Sequence, residues 1–190
     1  MARTFSTLVT NSSERFPQAI ERAAAVKLLV LDVDGVLTDG SLYIGADGKE
    51  FLKTFDSLDG HGIKLLLSAG IQVAIITGRS SPMVTGRATE LGISSVHMGV
   101  KNKLETLQSL LATLQLKPGQ VGAIGDDWPD LAVLSEVGFA ACPAQAHEEI
   151  KKIVHFVSSR NGGQGAVREI CDLILKTQGH YERLLTQALK

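Results

Sequence analysis

Residues 27–40 read KLLVLDVDGVLTDG, an apolar run that ends in two aspartates one residue apart, Asp32 and Asp34, followed at once by Gly35. The run is continuous rather than alternating, which is the pattern of a strand covered on both faces. Its acids fall where the strand should end. A core strand has no use for them, because burying an unpartnered carboxylate costs on the order of several kcal/mol. Two such groups imply a cation, a proton donor or both nearby. An Asp-Gly turn closing the strand would also put an acid there, so the remainder of the chain has to decide.

Outward from this stretch, strand and helix patterns alternate. SLYIGADGKEFLKTF (41–55) predicts a β-hairpin turning at Asp47-Gly48, read either as an edge ornament or as a flap or assembly surface. GHGIKLLLSAG predicts a helix closed by Gly70, and IQVAIIT a second buried strand ending at Thr77-Gly78-Arg79. Ser81-Pro82 opens a helix stopped by Gly92, and a brief strand follows near Ser95 to Met98. Asn102 caps the helix KLETLQSLLATLQL, and VGAIGDDWPD is a third strand with an acidic end. A helix to Val137, strands at FAACP and IVHFVSS, a glycine-rich NGGQG loop and the helix AVREICDLILKTQG follow. Residues 1–12 read as a loose arm, Ser12 or Ser13 as the cap of a helix reaching Ala25, and 180–190 as an amphipathic tail. This alternation predicts an α/β chain with one doubly wound parallel sheet in a single domain over 1–190, interrupted by the hairpin after its first strand.

The bulk numbers narrow the function. With 44% hydrophobic and 21% charged residues, a net charge of −1 and no basic block, nucleic acid is not an expected partner. No stretch approaches the roughly 20 apolar residues of a membrane span, and the N-terminus lacks a sustained apolar run of a secretion signal. Cys142 and Cys171 are far apart with no CxxC, which fits core thiols in a reducing cytoplasm.

In open parallel sheets ligands bind beyond the carboxyl ends of the strands. Asp32/Asp34, Thr77 and Asp126/Asp127 each follow an apolar strand, so one crevice can hold them all. Acids gathered there would repel one another, and a hard divalent cation with oxygen ligands relieves that repulsion, which favours magnesium. The five histidines show no i, i+4 pair. A hydroxyl at Thr77 and an ammonium at Lys103, where the helix dipole disfavours a cation, complete the parts that phosphoryl transfer asks for. A carboxylate can take the phosphoryl group covalently, and a second acid can then serve the leaving group and the water.

With these parts in order, DVDG, Thr-Gly, the helix-start lysine and GDD, the chain resembles the haloacid dehalogenase-like phosphohydrolases over Lys27 to Asp130. The resemblance implies a Rossmann-like fold with Asp32 as nucleophile, Asp34 as general acid and base, Thr77 as a phosphoryl hydrogen-bond donor and Lys103 as the phosphoryl-stabilising cation. It implies magnesium held by Asp32, the main-chain carbonyl of Asp34 and Asp126, with Asp127 positioning that shell or a water. Val36 stands where many relatives carry threonine.

DVDGVLTDG, the hairpin, FDSLDGHGIKLL, VAIITGRSS, NKL, GAIGDDWPDL and GGQGAVREICDLIL further resemble the family of 3-deoxy-D-manno-octulosonate 8-phosphate phosphatases. Capless homotetramers, in which hairpins and tails of neighbours help close each site, are implied by this resemblance, as is a role in lipopolysaccharide precursor synthesis. The substrate, a sugar acid phosphate, would meet Asp34, Asp56, Ser57, Leu58, Asp59, Gly60, Lys64, Gly78, Arg79, Arg87 and Lys103. Leu58 and Gln164 depart from relatives that carry basic residues there. The same chemistry on a nine-carbon sialic-type acid phosphate or on small phosphates generally is the alternative. A receiver-like phospho-acceptor module would share the acids, but Asp34 would hasten loss of its phosphoryl group.

Overall fold

The computed structural model describes residues 18–190. The expected arm over 1–12 and the capping by Ser12 or Ser13 lie outside them. The order is α1 (Ala19–Ala24), β1 (Leu28–Leu31), β2 (Tyr43–Ile44), β3 (Glu50–Leu52), α2 (Ser57–Ser68), β4 (Gln72–Ile76), α3 (Pro82–Leu91), β5 (Ser95–His97), α4 (Lys103–Leu114), β6 (Val121–Ile124), α5 (Leu131–Glu136), β7 (Phe139–Cys142), α6 (Glu148–Ile153), β8 (Phe156–Val157), α7 (Ala166–Thr177) and α8 (Tyr181–Ala188). Six strands form one parallel sheet in the order β5-β4-β1-β6-β7-β8, and β2-β3 form a separate antiparallel hairpin. The expected doubly wound sheet and hairpin are present.

Alternation along the buried strands feeds two cores. Leu29 and Leu31 face a layer containing Ala19 and Ala23 of α1, Ile63 and Leu66 of α2, Val84 and Ala88 of α3, and Val167, Ile170 and Ile174 of α7. Leu28 and Val30 face Leu107 and Leu111 of α4, Leu134 of α5 and Ile150 of α6. Covering both faces forces strands to be apolar throughout, which is why β1, β6 and β7 are buried at every position.

Two boundaries differ from the sequence reading. Helix α2 begins at Ser57, because the Asp56 carboxylate caps it, accepting from the backbone N–H groups of Leu58 (2.7 Å) and Asp59 (3.0 Å). The IVHFVSS strand is reduced to Phe156–Val157, and Ile153 ends a helix instead. Local electrostatics outweigh β-branched propensity there. Glu148 and Glu149 occupy the first turn and Lys151 and Lys152 the last, in accord with the helix dipole, and Lys151–Glu148 (2.9 Å) and Lys152–Glu149 (2.6 Å) pair across one turn. Both cysteines are free and buried, and burial pushes the Cys142 thiol up to about 12. Among the described residues no helix is long and apolar enough to cross a membrane.

Candidate active site

Strand β1 lies between β4 and β6, so the loops leaving these three parallel strands meet at one edge. Asp32 continues the ladder beyond β1, its N–H donating to Ile124 O at 3.1 Å. Asp126 leaves β6 two residues after that same Ile124. Thr77 leaves β4 buried, its backbone fixed between His97 O (2.9 Å) and Val100 N–H (3.1 Å). Lys103 opens α4 and reaches back under the edge. These separations in sequence collapse into one cluster.

Gly35 makes the cluster possible. Its φ of +86° is a conformation that side chains rarely adopt, and a β-carbon there would lie 2.1 Å from Asp126 Oδ2. The turn is also packed from behind by the glycine-rich loop. Gly163 N–H donates to Val36 O at 3.0 Å, Gln145 Nε2 donates to Gly35 O at 2.7 Å, and a β-carbon on Gly162 would come within 1.9 Å of that carbonyl. The loop therefore acts as a structural wedge behind the Asp32–Gly35 turn.

Lys103 is buried and its Nζ donates to Asp32 Oδ1 and Asp130 Oδ1, each at 2.7 Å. The second Asp130 oxygen accepts from Asp126 N–H at 3.1 Å. Carboxylate oxygens of Asp32, Asp126 and Asp130 lie within 4.8 Å of one another. Burial, and then Asp130, push the Asp32 carboxyl up to about 6 against the pull of Lys103. Burial, Asp32 and Asp130 push Asp126 up to about 7. For Lys103, burial works against its charge, but the two carboxylates outweigh burial and raise it.

Three crowded acids against one ammonium form an all-oxygen donor set short of positive charge, so a hard divalent cation fits. The donor set suits magnesium better than a thiol- or imidazole-seeking metal. Asp59 is likewise raised, to about 6, chiefly by burial. All three folded values lie above the ordinary 3.8. The folded metal-free chain therefore binds protons more readily than the unfolded chain between about pH 4 and 7, and stability falls as pH rises through that window. The melting temperature in chelator is expected to be higher at about pH 5.5 than at about pH 8, with added magnesium stabilising most at the higher pH. A flat profile would contradict the crowding.

A second charged group adjoins the first. Lys53, at the end of the hairpin, is buried and donates to Asp34 Oδ1 through a short hydrogen bond. Its Nζ also lies 2.8 Å from Glu50 Oε1, an ion pair outside hydrogen-bonding geometry that leaves that buried oxygen without a hydrogen-bond donor. Arg79 Nε stands 3.5 Å from Asp34 Oδ2 and its Nη2 3.8 Å from Glu50 Oε1.

The remaining expected residues fall into separate places. Arg87 Nη2 donates to Asp56 O at 3.1 Å, its Nη1 to Glu90 at 2.6 Å, and a β-carbon on Gly60 would strike Nη2 at 2.1 Å. Lys64 pairs with Glu90 at 3.6 Å, both largely exposed. Ser57, Leu58 and Gly78 are exposed. Asp59 is buried and turned to α7, accepting from the backbone N–H groups of Arg168 (2.7 Å) and Gly165 (3.3 Å). Asp127 is exposed on the 3₁₀ turn, and the acid that touches both Lys103 and the Asp126 backbone is Asp130. Sequence reasoning passed over Asp130, Lys53 and Glu50. The signal for the first was present, since Asp130 stands four residues after Asp126 on a turn that brings it back. A groove of about 710 Å³ along β5 and α4 contains Glu105 as its only acid and none of these groups.

The model of the haloacid dehalogenase-like hydrolases matches residues 98–170. The 3-deoxy-D-manno-octulosonate 8-phosphate phosphatase KdsC of Yersinia pestis is 47% identical over 86% of this chain and 87% of its own. The Escherichia coli K12 protein of the same name is 40% identical over 100% of both. The crystal structure of the Moraxella catarrhalis phosphatase of that name, in complex with magnesium, phosphate and KDO, superposes with a TM-score of 0.87 at 39% identity, over 90% of this chain and 98% of its own. With identity of this level along the full sequence and the acid cluster in place, the chain belongs to the haloacid dehalogenase-like hydrolases, within the family of 3-deoxy-D-manno-octulosonate 8-phosphate phosphatases.

Proposed function

We propose that the chain is a magnesium-dependent phosphomonoesterase that hydrolyses 3-deoxy-D-manno-octulosonate 8-phosphate to 3-deoxy-D-manno-octulosonate and phosphate, in lipopolysaccharide precursor synthesis. The observation that carries this reading is the buried Lys103 ammonium, 2.7 Å from Asp32, among three converging carboxylates. Such a site binds a phosphoryl group beside an oriented nucleophile. A carboxylate oxygen of Asp32 attacks phosphorus and the bond to the sugar oxygen breaks. Asp34 gives its proton to the departing alkoxide, then takes one from the water that releases phosphate from the aspartyl phosphate. Asp32, the main-chain carbonyl of Asp34 and Asp126 would hold magnesium, which would supply positive charge to the phosphoryl group. Lys103 and the Thr77 hydroxyl serve the phosphoryl oxygens from the protein side.

Arg79 at the crevice and Arg87 and Lys64 on the neighbouring helices are assigned to the substrate's anionic groups, with the Asp56–Gly60 turn between them. Arginine suits a phosphate and a carboxylate alike. Asp59 shapes that turn from beneath. A panel of sugar phosphates assayed with and without magnesium tests the reading. The eight-carbon acid phosphate is expected to show the highest kcat/KM, at least about tenfold above other primary phosphates, with activity lost in chelator. A sialic-type nine-carbon phosphate or a generic phosphate at the head of the panel would replace the substrate but leave the chemistry.

We further propose that the protein works in the cytoplasm as a homotetramer in which neighbouring hairpins and tails help close each site. Supporting this, Leu42, Ile44, Phe51 and Leu52 of the hairpin and Leu185 and Leu189 of the tail are exposed. Phe51→Asp is expected to lower the sedimentation coefficient and the activity together. A stable wild-type monomer with full activity would refute the assembly.

A further inference from the structure

A buried lysine needs a reason. Lys53 stands one residue past β3 in a hairpin whose neighbouring positions are mostly exposed, yet its side chain is only 1% exposed. Desolvating an ammonium is costly unless it is paired and hydrogen-bonded, and Lys53 has both, through Asp34 and Glu50. Glu50 has no hydrogen-bond donor for its own buried oxygen, so its evident role is to counter charge, held between Lys53 and Arg79. Together these residues join the hairpin to the one side chain that must move protons.

We propose that Lys53 is the positioning residue of Asp34, a role that deepens the phosphatase reading and rests on it. The lysine donates to Oδ1, so that oxygen is engaged as an acceptor and the transferable proton is confined to Oδ2. Arg79 Nε stands 3.5 Å from Oδ2, longer than a hydrogen bond. When a substrate anion draws the guanidinium to itself, Oδ2 is left facing the leaving group. In the first half-reaction the proton passes from Oδ2 to the sugar oxygen as its bond to phosphorus breaks. In the second, a water proton returns to Oδ2 as the water oxygen bonds to phosphorus and the acyl phosphate bond to Asp32 breaks. Lys53 transfers no proton. It fixes which oxygen does, and since it belongs to the hairpin, hairpin placement and proton transfer are one geometric fact.

The leaving group separates this role from a structural one. An alkyl phosphate releases an alkoxide that needs the proton, whereas p-nitrophenyl phosphate releases a stabilised phenolate that does not. Lys53→Met, Lys53→Arg, Asp34→Asn and Asp34→Asn/Lys53→Met are compared with wild type at saturating magnesium, on p-nitrophenyl phosphate and on the alkyl phosphate that wild type turns over fastest. Lys53→Met is expected to lower kcat on the alkyl ester about 10- to 100-fold and on the aryl ester less than about threefold, part of the 10²- to 10⁴-fold that general acid–base catalysis contributes. Lys53→Arg, which keeps the charge, is expected to recover most of the alkyl-to-aryl ratio, and Lys53→Met is expected to add little in the Asp34→Asn background. An unchanged ratio in Lys53→Met overturns the proposal. If Lys53→Met does not fold, Lys53→Gln is read in its place by the same ratio. Failure of the phosphatase reading looks different, because wild type would then release no phosphate from either ester.

Discussion

Asp32→Asn is expected to reduce phosphate release on the order of 10⁴-fold or more, the loss typical of removing a covalent nucleophile. The amide matches the carboxylate in size and still offers an oxygen to Lys103, now 2.7 Å from Asp32, so the pocket is retained while the attacking charge is gone. Stability should move the other way. Asp32 is one of three crowded acids and its folded value is already raised to about 6, so neutralising it relieves repulsion on Asp126. In chelator near pH 8 the variant is expected to melt at or above the wild-type temperature. An inactive variant that also unfolds early would mean that Asp32 holds the fold together, and turnover within about tenfold of wild type would remove it from the chemistry altogether.

Lys103→Met is expected to show the second largest effect, and on both quantities at once. The ammonium is the only cation in direct contact with Asp32 and Asp130 among the described residues. Its loss leaves buried carboxylates unpaired, and breaking such a pair costs about 3–5 kcal/mol. In its proposed role at the phosphoryl oxygens Lys103 is a preorganised cation, and its withdrawal is expected to cost about 10²- to 10³-fold in kcat. The sign of the pH effect follows from the same contacts. Lys103 pulls the Asp32 carboxyl down, so without it that group titrates higher, and the acidic limb of kcat/KM is expected to shift to higher pH. Rates and melting curves across pH measure all three consequences. A variant of wild-type stability with an unshifted limb would mean that the lysine is not coupled to the nucleophile.

Much of this arrangement is readable from the chain before any coordinates. Asp32, Asp34, Thr77 and Asp126 each stand just after an apolar strand, and a parallel sheet brings such ends together whatever their separation in sequence. Asn102 and Ser81-Pro82 mark helix starts through backbone chemistry that is local, and local rules read well. What escaped notice depended on three-dimensional direction. Asp130 follows Gly125, Asp126, Asp127 and Pro129 in GDDWPD and reads as one more solvent-facing acid until the turn at Trp128–Asp130 swings it inward. Lys53 shares a hairpin with Lys49, which stays exposed, and only tertiary packing buries Lys53 against Asp34. Asp59 sits within a segment grouped with the substrate by resemblance, yet its carboxylate is turned to the backbone of Gly165 and Arg168. The helix at Glu148–Ile153 was hidden by the β-branched and aromatic residues that follow it, while the capping His147 and the paired charges that form it lie earlier.

Loops flanking α6 and α7 grip the chain on either side of β1. At one end Gly163 and Gln145 bind the carbonyls of Val36 and Gly35, and at the other Gln178 Nε2 donates to Ala23 O (3.2 Å) and Val26 O (2.8 Å). The codons for Asp32 and its turn precede those for the pieces that brace them by more than a hundred. During translation, then, the first strand can pair with β4 soon after both leave the ribosome, but the turn that follows it has no brace until the residues around Gly163 have cleared the exit tunnel.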